Sequence, residues 1–331
     1  MILIIGGAGF IGSHTVKLLN SKGYETLVLD NFSTGHRSLL KWGPYIEGDF
    51  GDNELVKSIL KNHPIDGVMH FAANAYVAES VSNPLKYYSN NVLNTINLLN
   101  AIVETNQKKD FFFIFSSTCA TYGIPEKFPI EETQHQIPVN PYGRTKLAVE
   151  HMIRDYSKAY GLKYSILRYF NAAGADPELE TGEWHDPESH LIPLILEAAY
   201  NKSSINIYGD DYPTADGTCI RDYIHVNDLA AAHIMAMEDL IKNYKSTIFN
   251  LGNGKGYSIL DVINSAKRIT GYDIDTVFAD RRPGDPPTLI GSSDRIQKQL
   301  GWVPQISTLD DIIETAWNWY KKMEMSRAGG T

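Results

Sequence analysis

The run Ile2-Leu3-Ile4-Ile5-Gly6-Gly7-Ala8-Gly9-Phe10-Ile11-Gly12 governs how the rest of the chain is read. Ile2 to Ile5 is continuously apolar and mostly β-branched, the pattern of a strand buried on both faces of a parallel sheet. A helical pattern follows from Ser13 to Asn20. Between them Gly6, Gly9 and Gly12 are spaced G-x-x-G-x-x-G. Glycines here let the backbone turn sharply and let a pyrophosphate approach the amides at a helix N-terminus. The strand before and the helix after give the triplet its meaning. A second short strand, Thr26 to Leu29, ends at Asp30. An acid about twenty residues past such glycines accepts hydrogen bonds from the adenosine ribose and repels a 2′-phosphate. The expected cofactor is therefore NAD rather than NADP. Asn31, Ser33, Thr34 and Gly35 continue the loop beside that ribose.

Working outward, strands and helices alternate. Tyr45 to Phe50 reads as a third strand and its end, with Asp49 in reach of the adenine and Phe50 beside it. Glu54 to Lys61 is helical. Gly67 to Ala73 is a fourth strand that runs into Phe71, Ala72 and Ala73, whose last two small side chains allow close cofactor approach. His70 within it reads as a satisfied core histidine. Asn90 to Thr105 reads as one long helix with Val92, Ile96, Leu99 and Val103 on a stripe. Phe111 to Phe115 is a fifth buried strand ending in Ser116-Ser117-Thr118. Hydroxyls at the carboxyl end of a strand lie where doubly wound sheets bind ligands. Leu162 to Leu167 is a sixth strand, followed by Arg168-Tyr169-Phe170-Asn171. The pattern predicts an α/β protein with a Rossmann-type doubly wound parallel sheet.

The alternation weakens after Gly174. Asp176 to Ser189 is polar and reads as the crossing into a smaller mixed α/β lobe that binds substrate. Asp228 is the expected N-cap of a helix from Leu229 to Leu240. Thr247 to Leu251, a strand, hands the chain back. The expected division is residues 1–175, with 225–253 returning to them, against 176–224 and 254–331. Leu309 to Lys321 closes the chain as an amphipathic helix, and Arg327 to Thr331 is expected to fray.

Composition sets outer bounds. The 331 residues exceed what one core usually organises. Thirty Lys and Arg against 39 Asp and Glu give a net charge of −9. That balance argues against nucleic acid or an anionic membrane surface as a partner. No apolar run approaches the ~20 residues of a membrane span, and Ile2 to Ile5 is too short for a signal-peptide core. A cytoplasmic location is expected. Cys119 and Cys219 have neither metal-ligand spacing nor a disulfide framework, and no metal is expected.

Tyr142-Gly143-Arg144-Thr145-Lys146 carries the chemistry. Residues four apart share a helix face, so Tyr142 and Lys146 can point at one centre. A neighbouring ammonium favours a phenolate and lowers its pKa from about 10. The pair is then a proton-transfer couple. Thr118 is a hydrogen-bond partner for a substrate hydroxyl.

Glycine loop, Asp30, Ser/Thr cluster and Tyr-x-x-x-Lys occur in one order. The chain resembles the extended short-chain dehydrogenase/reductase superfamily over essentially its whole length, and within it the UDP-hexose 4-epimerase family. The residues carrying the resemblance include Gly6 to His14, Asp30-Asn31, His70 to Ala73, Glu79 to Val81, Tyr87 to Val92, Ser116 to Thr118 and Tyr122-Gly123. Pro141 to Lys146, Leu167 to Asn171, Gly217 to Val226 and Arg282 to Asp285 complete the set. The resemblance implies tightly held NAD and interconversion of UDP-glucose and UDP-galactose. Oxidation at C4 gives a 4-keto sugar, which rotates and is reduced on its other face. Tyr142 would be the base, with Lys146 lowering its pKa and holding the nicotinamide ribose, and Thr118 on the 4-oxygen. Asn90, Ser116, Tyr169 and Phe170 would join the cofactor site. Asn171, His190, Leu191 and Tyr208 would contact the UDP-sugar, Arg221 and Arg282 the diphosphate, and Asp285 the uridine ribose. A homodimer built on the Asn90–Thr105 and Tyr142–Ala159 helices is implied too. Two positions depart from the pattern: Ala75 stands where many members have Lys, and Leu289, of intermediate size, stands at the substrate-size gate.

Overall fold

The computed structural model describes residues 1–105, 110–282 and 285–329. Strand β1, Ile2–Ile5, is buried along its whole length. It is followed by α1 (Phe10–Ser21), β2 (Thr26–Asp30), β3 (Tyr45–Glu47), α2 (Asn53–Asn62) and β4 (Gly67–His70). Two short helices, α3 (Val77–Ser82) and α4 (Pro84–Tyr87), lead through a π-helical turn into α5 (Asn94–Thr105). Strand β5 (Phe112–Thr118), α6 (Pro141–Tyr160) and β6 (Lys163–Tyr169) come next. All seven strands of the main sheet run parallel in the order 3-2-1-4-5-6-11, where β11 is Thr247–Leu251. The order reverses beside β1, and the carboxyl ends of β1 and β4 open a crevice there.

The period-two alternation of strand side chains divides the core. Ile2, Ile4, Val28, Ile114 and Phe249 pack on one face of the sheet. Leu3, Ile5, Leu29, Phe113 and Phe115 pack on the other, with Leu98 and Leu99 of α5 and Val149 of α6. Continuous apolar strands are what a sheet covered on both faces requires.

The remaining elements build three small sheets. Strand β7 (Asn171–Ala173) pairs with β10 (Tyr223–His225), and β8 (Ser204–Tyr208) pairs with β13 (Asp275–Ala279). Strand β9 (Ile220–Arg221) lies between β12 (Tyr257–Ser258) and β14 (Thr288–Leu289). Helices α7 (Leu191–Asn201), α9 (Ile259–Thr270) and α11 (Leu309–Gly329) share a third core with Ile205, Ile207 and Trp317. Helices α8 (Val226–Asn243) and α10 (Asp294–Leu300) complete the set.

Several boundaries differ from expectation. Helix α8 starts at Val226, and its N-cap is His225, whose Nδ1 accepts the Asn227 amide at 3.1 Å. Asp228 is not the cap. Its carboxylate accepts the amides of Gln305 and Ile306 at 2.8 and 3.0 Å, a tie across 77 residues that local pattern cannot reveal. The helix expected from Asn90 is continuous with α4, and Asn90 sits in the π turn, Tyr88–Leu93. Strand β6 runs to Tyr169 because β11 pairs alongside it as far as Leu251. Arg327 lies within α11, so fraying does not begin there, and Gly330 and Thr331 lie outside the described residues. His70 is buried with Nε2 3.1 Å from the Thr95 hydroxyl, but its Nδ1 has no partner among the described residues.

Candidate active site

The glycine loop opens the site. Gly12 sits where a Cβ would lie 2.2 Å from the Gly6 carbonyl oxygen, so helix and loop can meet this closely only without one. Gly9 is different. A Cβ there would meet nothing nearer than the Gly6 oxygen at 3.5 Å, so its bareness leaves a cradle open. Gly9 is also the N-cap of α1 and supplies no side-chain cap. The first-turn amides of α1, with the positive end of the helix dipole, can therefore serve an anion. At the end of β2, Asp30 is buried, and burial raises its pKa against the opposing pull of the Phe32 and Ala8 amides. Its two oxygens accept those amides at 2.9 Å each. The carboxylate thus ties the glycine loop to the turn after β2 while lining the cavity.

Helix α6 positions the reactive pair. Asn140 caps it by accepting the Gly143 amide at 2.8 Å, and Pro141 occupies its first position. Gly143 brings the helix against the Ala120 carbonyl, which a Cβ would meet at 2.5 Å. This contact sets Tyr142 beside Thr118, whose hydroxyl acts to lower the proton affinity of the phenol. Lys146, one turn on, is buried and donates to the Ser116 carbonyl at 2.7 Å. The Ser116 and Tyr169 hydroxyls are in contact beside it.

Proton affinities in this cluster depart from the simple expectation. Burial pushes the Tyr142 phenol well above its ordinary range, Tyr169 adds to the rise, and the Thr118 hydrogen bond opposes it. Burial pulls Lys146 down to about 7, with the Glu150 carboxylate opposing. The expected lowering of the Tyr142 pKa by Lys146 is not found: desolvation of the phenolate dominates, and Lys146 is not among the groups that shift it.

These groups line one cavity of about 1020 Å³. From the glycine loop and the segment after β2, Gly6, Gly9, Phe10, Ile11, Gly12, Asp30, Asn31, Ser33, Thr34 and Gly35 line it. Phe50, Phe71, Ala72, Ala73, Asn90, Ser116, Tyr169 and Phe170 line it with Thr118, Tyr142 and Lys146. Asn171, His190, Leu191, Tyr208, Arg221, Arg282 and Asp285 belong to the same lining. Asp49 is used differently: its carboxylate accepts the Gly51 amide at 2.7 Å and the side-chain amides of Asn31 and Asn94 at 3.0 and 3.1 Å. The Arg282 guanidinium lies 3.9 Å from the centre of the Tyr208 ring. Arg221 donates to the carbonyls of Ile220 and Pro286 at 3.0 and 2.9 Å. Pro283 and Gly284, part of the motif read in the sequence, lie outside the described residues.

A model of the NAD dependent epimerase/dehydratase family matches residues 2–252. The chain belongs to the NAD dependent epimerase/dehydratase family. A UDP-glucose 4-epimerase of Halalkalibacterium halodurans is 51% identical over 322 residues, covering 97% of this chain and 96% of that protein. The UDP-glucose 4-epimerase of Brucella ovis, solved in complex with NAD, superposes with a TM-score of 0.92 at 50% identity, covering 96% of this chain and 98% of that one. The UDP-Glc/GlcNAc 4-epimerase of Campylobacter jejuni superposes with a TM-score of 0.83 at 42% identity, covering 97% and 99%.

The cradle at Gly9, the uncapped α1 and the carboxylate at the end of β2 fit the cofactor for which this epimerase/dehydratase family is named. Sequence reading missed a support beneath them. Glu150, one turn beyond Lys146, is fully buried and accepts from Arg168 Nε at 2.9 Å and Arg168 Nη2 at 2.6 Å. Ser117 donates to the same carboxylate at 2.6 Å. Arg168 Nη1 donates to the Tyr122 hydroxyl at 2.8 Å, which in turn donates to Asn250 Oδ1 at 2.7 Å. The four-residue spacing from Lys146 to Glu150 was visible in the sequence; its partner on β6 was not. Glu183, His185 and Glu188 also line the cavity and were not singled out.

Proposed function

We propose that this chain is a NAD-dependent UDP-hexose 4-epimerase that interconverts UDP-glucose and UDP-galactose, as part of galactose metabolism in the cytoplasm. One observation carries the reading. Tyr142 and Thr118 line the same cavity as the glycine loop and the two arginines Arg221 and Arg282. That combination suits a dinucleotide and a sugar diphosphate held together at one proton-handling centre.

Bound NAD would supply an acceptor and donor for the hydrogen on sugar C4, and a positive charge beside the phenol. Tyr142 takes the proton of the 4-hydroxyl and later returns it. Thr118 hydrogen-bonds the reacting oxygen and fixes the phenol. Lys146, with its proton affinity near neutrality, adds charge at the cofactor ribose. Arg221 and Arg282 hold the diphosphate, for which guanidinium forks are suited. Tyr208 and Asp285 bind the uridine end. Anchoring at the diphosphate leaves the sugar free to turn and present its other face. In this reading residues 1–175 with 225–253 bind NAD, and 176–224 with 254–331 bind the UDP-sugar. The join of β11 to the main sheet supports that division. Leu93 and Tyr160, both more than half exposed, support a homodimer through the helices they flank. The unpaired, buried Cys119 and Cys219 suit a reducing compartment.

Acceptance of N-acetylated sugars is a second reading. Leu289 is buried with Cys119, Tyr122, Ile130 and Phe170 and lines the cavity, and its side chain is smaller than the Tyr expected of a strict gate. Purified protein incubated with UDP-galactose should yield UDP-glucose without added NAD. Absence of conversion even with NAD supplied would overturn the epimerase reading. Parallel incubations with UDP-N-acetylgalactosamine and a UDP-pentose decide the substrate range.

A further inference from the structure

The segment Glu183-Trp184-His185-Asp186-Pro187-Glu188-Ser189-His190 precedes α7 and reads E-x-H-x-x-E-x-H. We propose that Glu183, His185, Glu188 and His190 bind one divalent first-row transition-metal ion, zinc in type, on the wall of the cavity. The sequence alone gave no reason to assign a metal, and the folded segment does.

One donor atom from each of the four side chains lies within 4.8 Å of the others. His190 Nδ1 is 3.0 Å from both Glu183 Oε1 and Glu188 Oε1. His185 Nδ1 is 3.4 Å from Glu183 Oε1 and 3.5 Å from Glu188 Oε2. Ligand bonds of roughly 2.0–2.2 Å in a tetrahedron place donors about 3.3–3.6 Å apart, so little movement closes the site. His185 Nδ1 is buried and makes no hydrogen bond within the described residues, although two carboxylates stand beside it. Two imidazole nitrogens with two carboxylates form a donor set suited to zinc, cobalt or manganese.

The donors are held from behind, as ligands need to be. Glu188 Oε1 accepts the amides of Ser189 and His190 at 2.7 and 2.8 Å. Trp184 stacks on His36 with ring centres 3.8 Å apart, and Trp319 donates to the Glu183 carbonyl at 2.9 Å. Tyr76 lies edge-on to both imidazoles. A second acidic group, Asp176, Glu178 and Glu180, offers no such vacancy: the Lys17 ammonium reaches all three at 2.5–2.7 Å. An ion at the proposed site would fasten the segment entering α7 against the Tyr76 loop.

Protons on the two imidazoles are the competing occupants, and metal titration separates the cases. Full-length protein is stripped with chelator, dialysed, and titrated with Zn²⁺ and Co²⁺ without nucleotide sugar, so the result is independent of the epimerase reading. One ion per chain is expected, with a visible cobalt absorption of tetrahedral intensity and a raised thermal midpoint. His185→Ala and Glu188→Gln should each weaken binding at least about 10-fold. Stoichiometry far below one, or equal affinity in the folded variants, overturns the proposal. X-ray absorption at the zinc edge of the wild-type protein decides the matter should either variant fail to fold. Imidazole scattering is expected, and its absence refutes the assignment.

Discussion

At the residue scale, Tyr142 carries the largest consequence. Its hydroxyl meets Thr118, and burial holds its proton tightly. A positive charge brought beside it is what makes it a usable base. Tyr142→Phe removes the proton acceptor and little else, since the ring remains and Asn140 still caps the helix. Turnover of UDP-galactose should fall by about 10²–10⁴-fold, with circular dichroism and the thermal midpoint close to wild type. Wild-type turnover in this variant would remove Tyr142 from the role. At this scale the sequence was informative because motif spacing is local: Tyr142 and Lys146 share a helix face wherever that helix goes. The charge state of the pair was not legible, because desolvation depends on what packs around it. Asp49 shows the same limit. Its place at the end of a strand was readable, whereas its capture by Asn31, Gly51 and Asn94 depends on a helix that begins more than forty residues later.

At the element scale, α6 does two jobs. Its first two turns present Tyr142 and Lys146, and its third anchors the helix to β6 through Glu150 and Arg168. Both partners are almost fully buried, so a lone charge left behind by removing either one is costly, on the order of 3–5 kcal/mol. Glu150→Leu and Arg168→Met should each lower the urea midpoint strongly. The double variant should lose less than the sum of the two, because it leaves no unpaired charge. Additive losses in that cycle would show that the two residues act independently. Helix starts are marked locally where the capping residues are neighbours, as Asn140 and Pro141 are at α6. They were misread where a distant segment supplies the partner. Asp228 has the residue type of a cap, yet it serves the 305–306 backbone while His225 caps α8.

At the scale of the whole molecule, the parallel sheet followed from apolar runs of the right length between glycines and helices, and the two-faced core follows from it. The small sheets were harder to see because β9, β12 and β14 have only two residues each. Burial on both sides of the sheet also sets how the protein responds to acid. His14, His70, His225 and His233 are buried, and desolvation pulls their pKa values down to about 4, 3, 3 and 4. Unfolded, each titrates near 6.5. Above that pH all four are neutral in both states, and their contribution to stability is fully present. As pH falls from about 6.5 toward 4, the unfolded chain takes up protons that the folded chain refuses, and each histidine costs up to about 1.4 kcal/mol per pH unit. Asp222 works in the opposite direction. Burial raises it to about 7, against the pull of the Asn253, Gly291 and Gly254 amides, so the folded state gains a proton there first. Burial raises Asp30 and Asp228 as well, and three carboxylates against four strongly lowered imidazoles leave a net loss. The urea midpoint should therefore drop steadily between pH 6.5 and 4.5. His70→Leu keeps a side chain of similar bulk among Phe50, Phe113 and Phe115 and removes one of the four protons. Its midpoint should fall less steeply over the same interval, and parallel slopes for variant and wild type would mean that His70 does not titrate on unfolding.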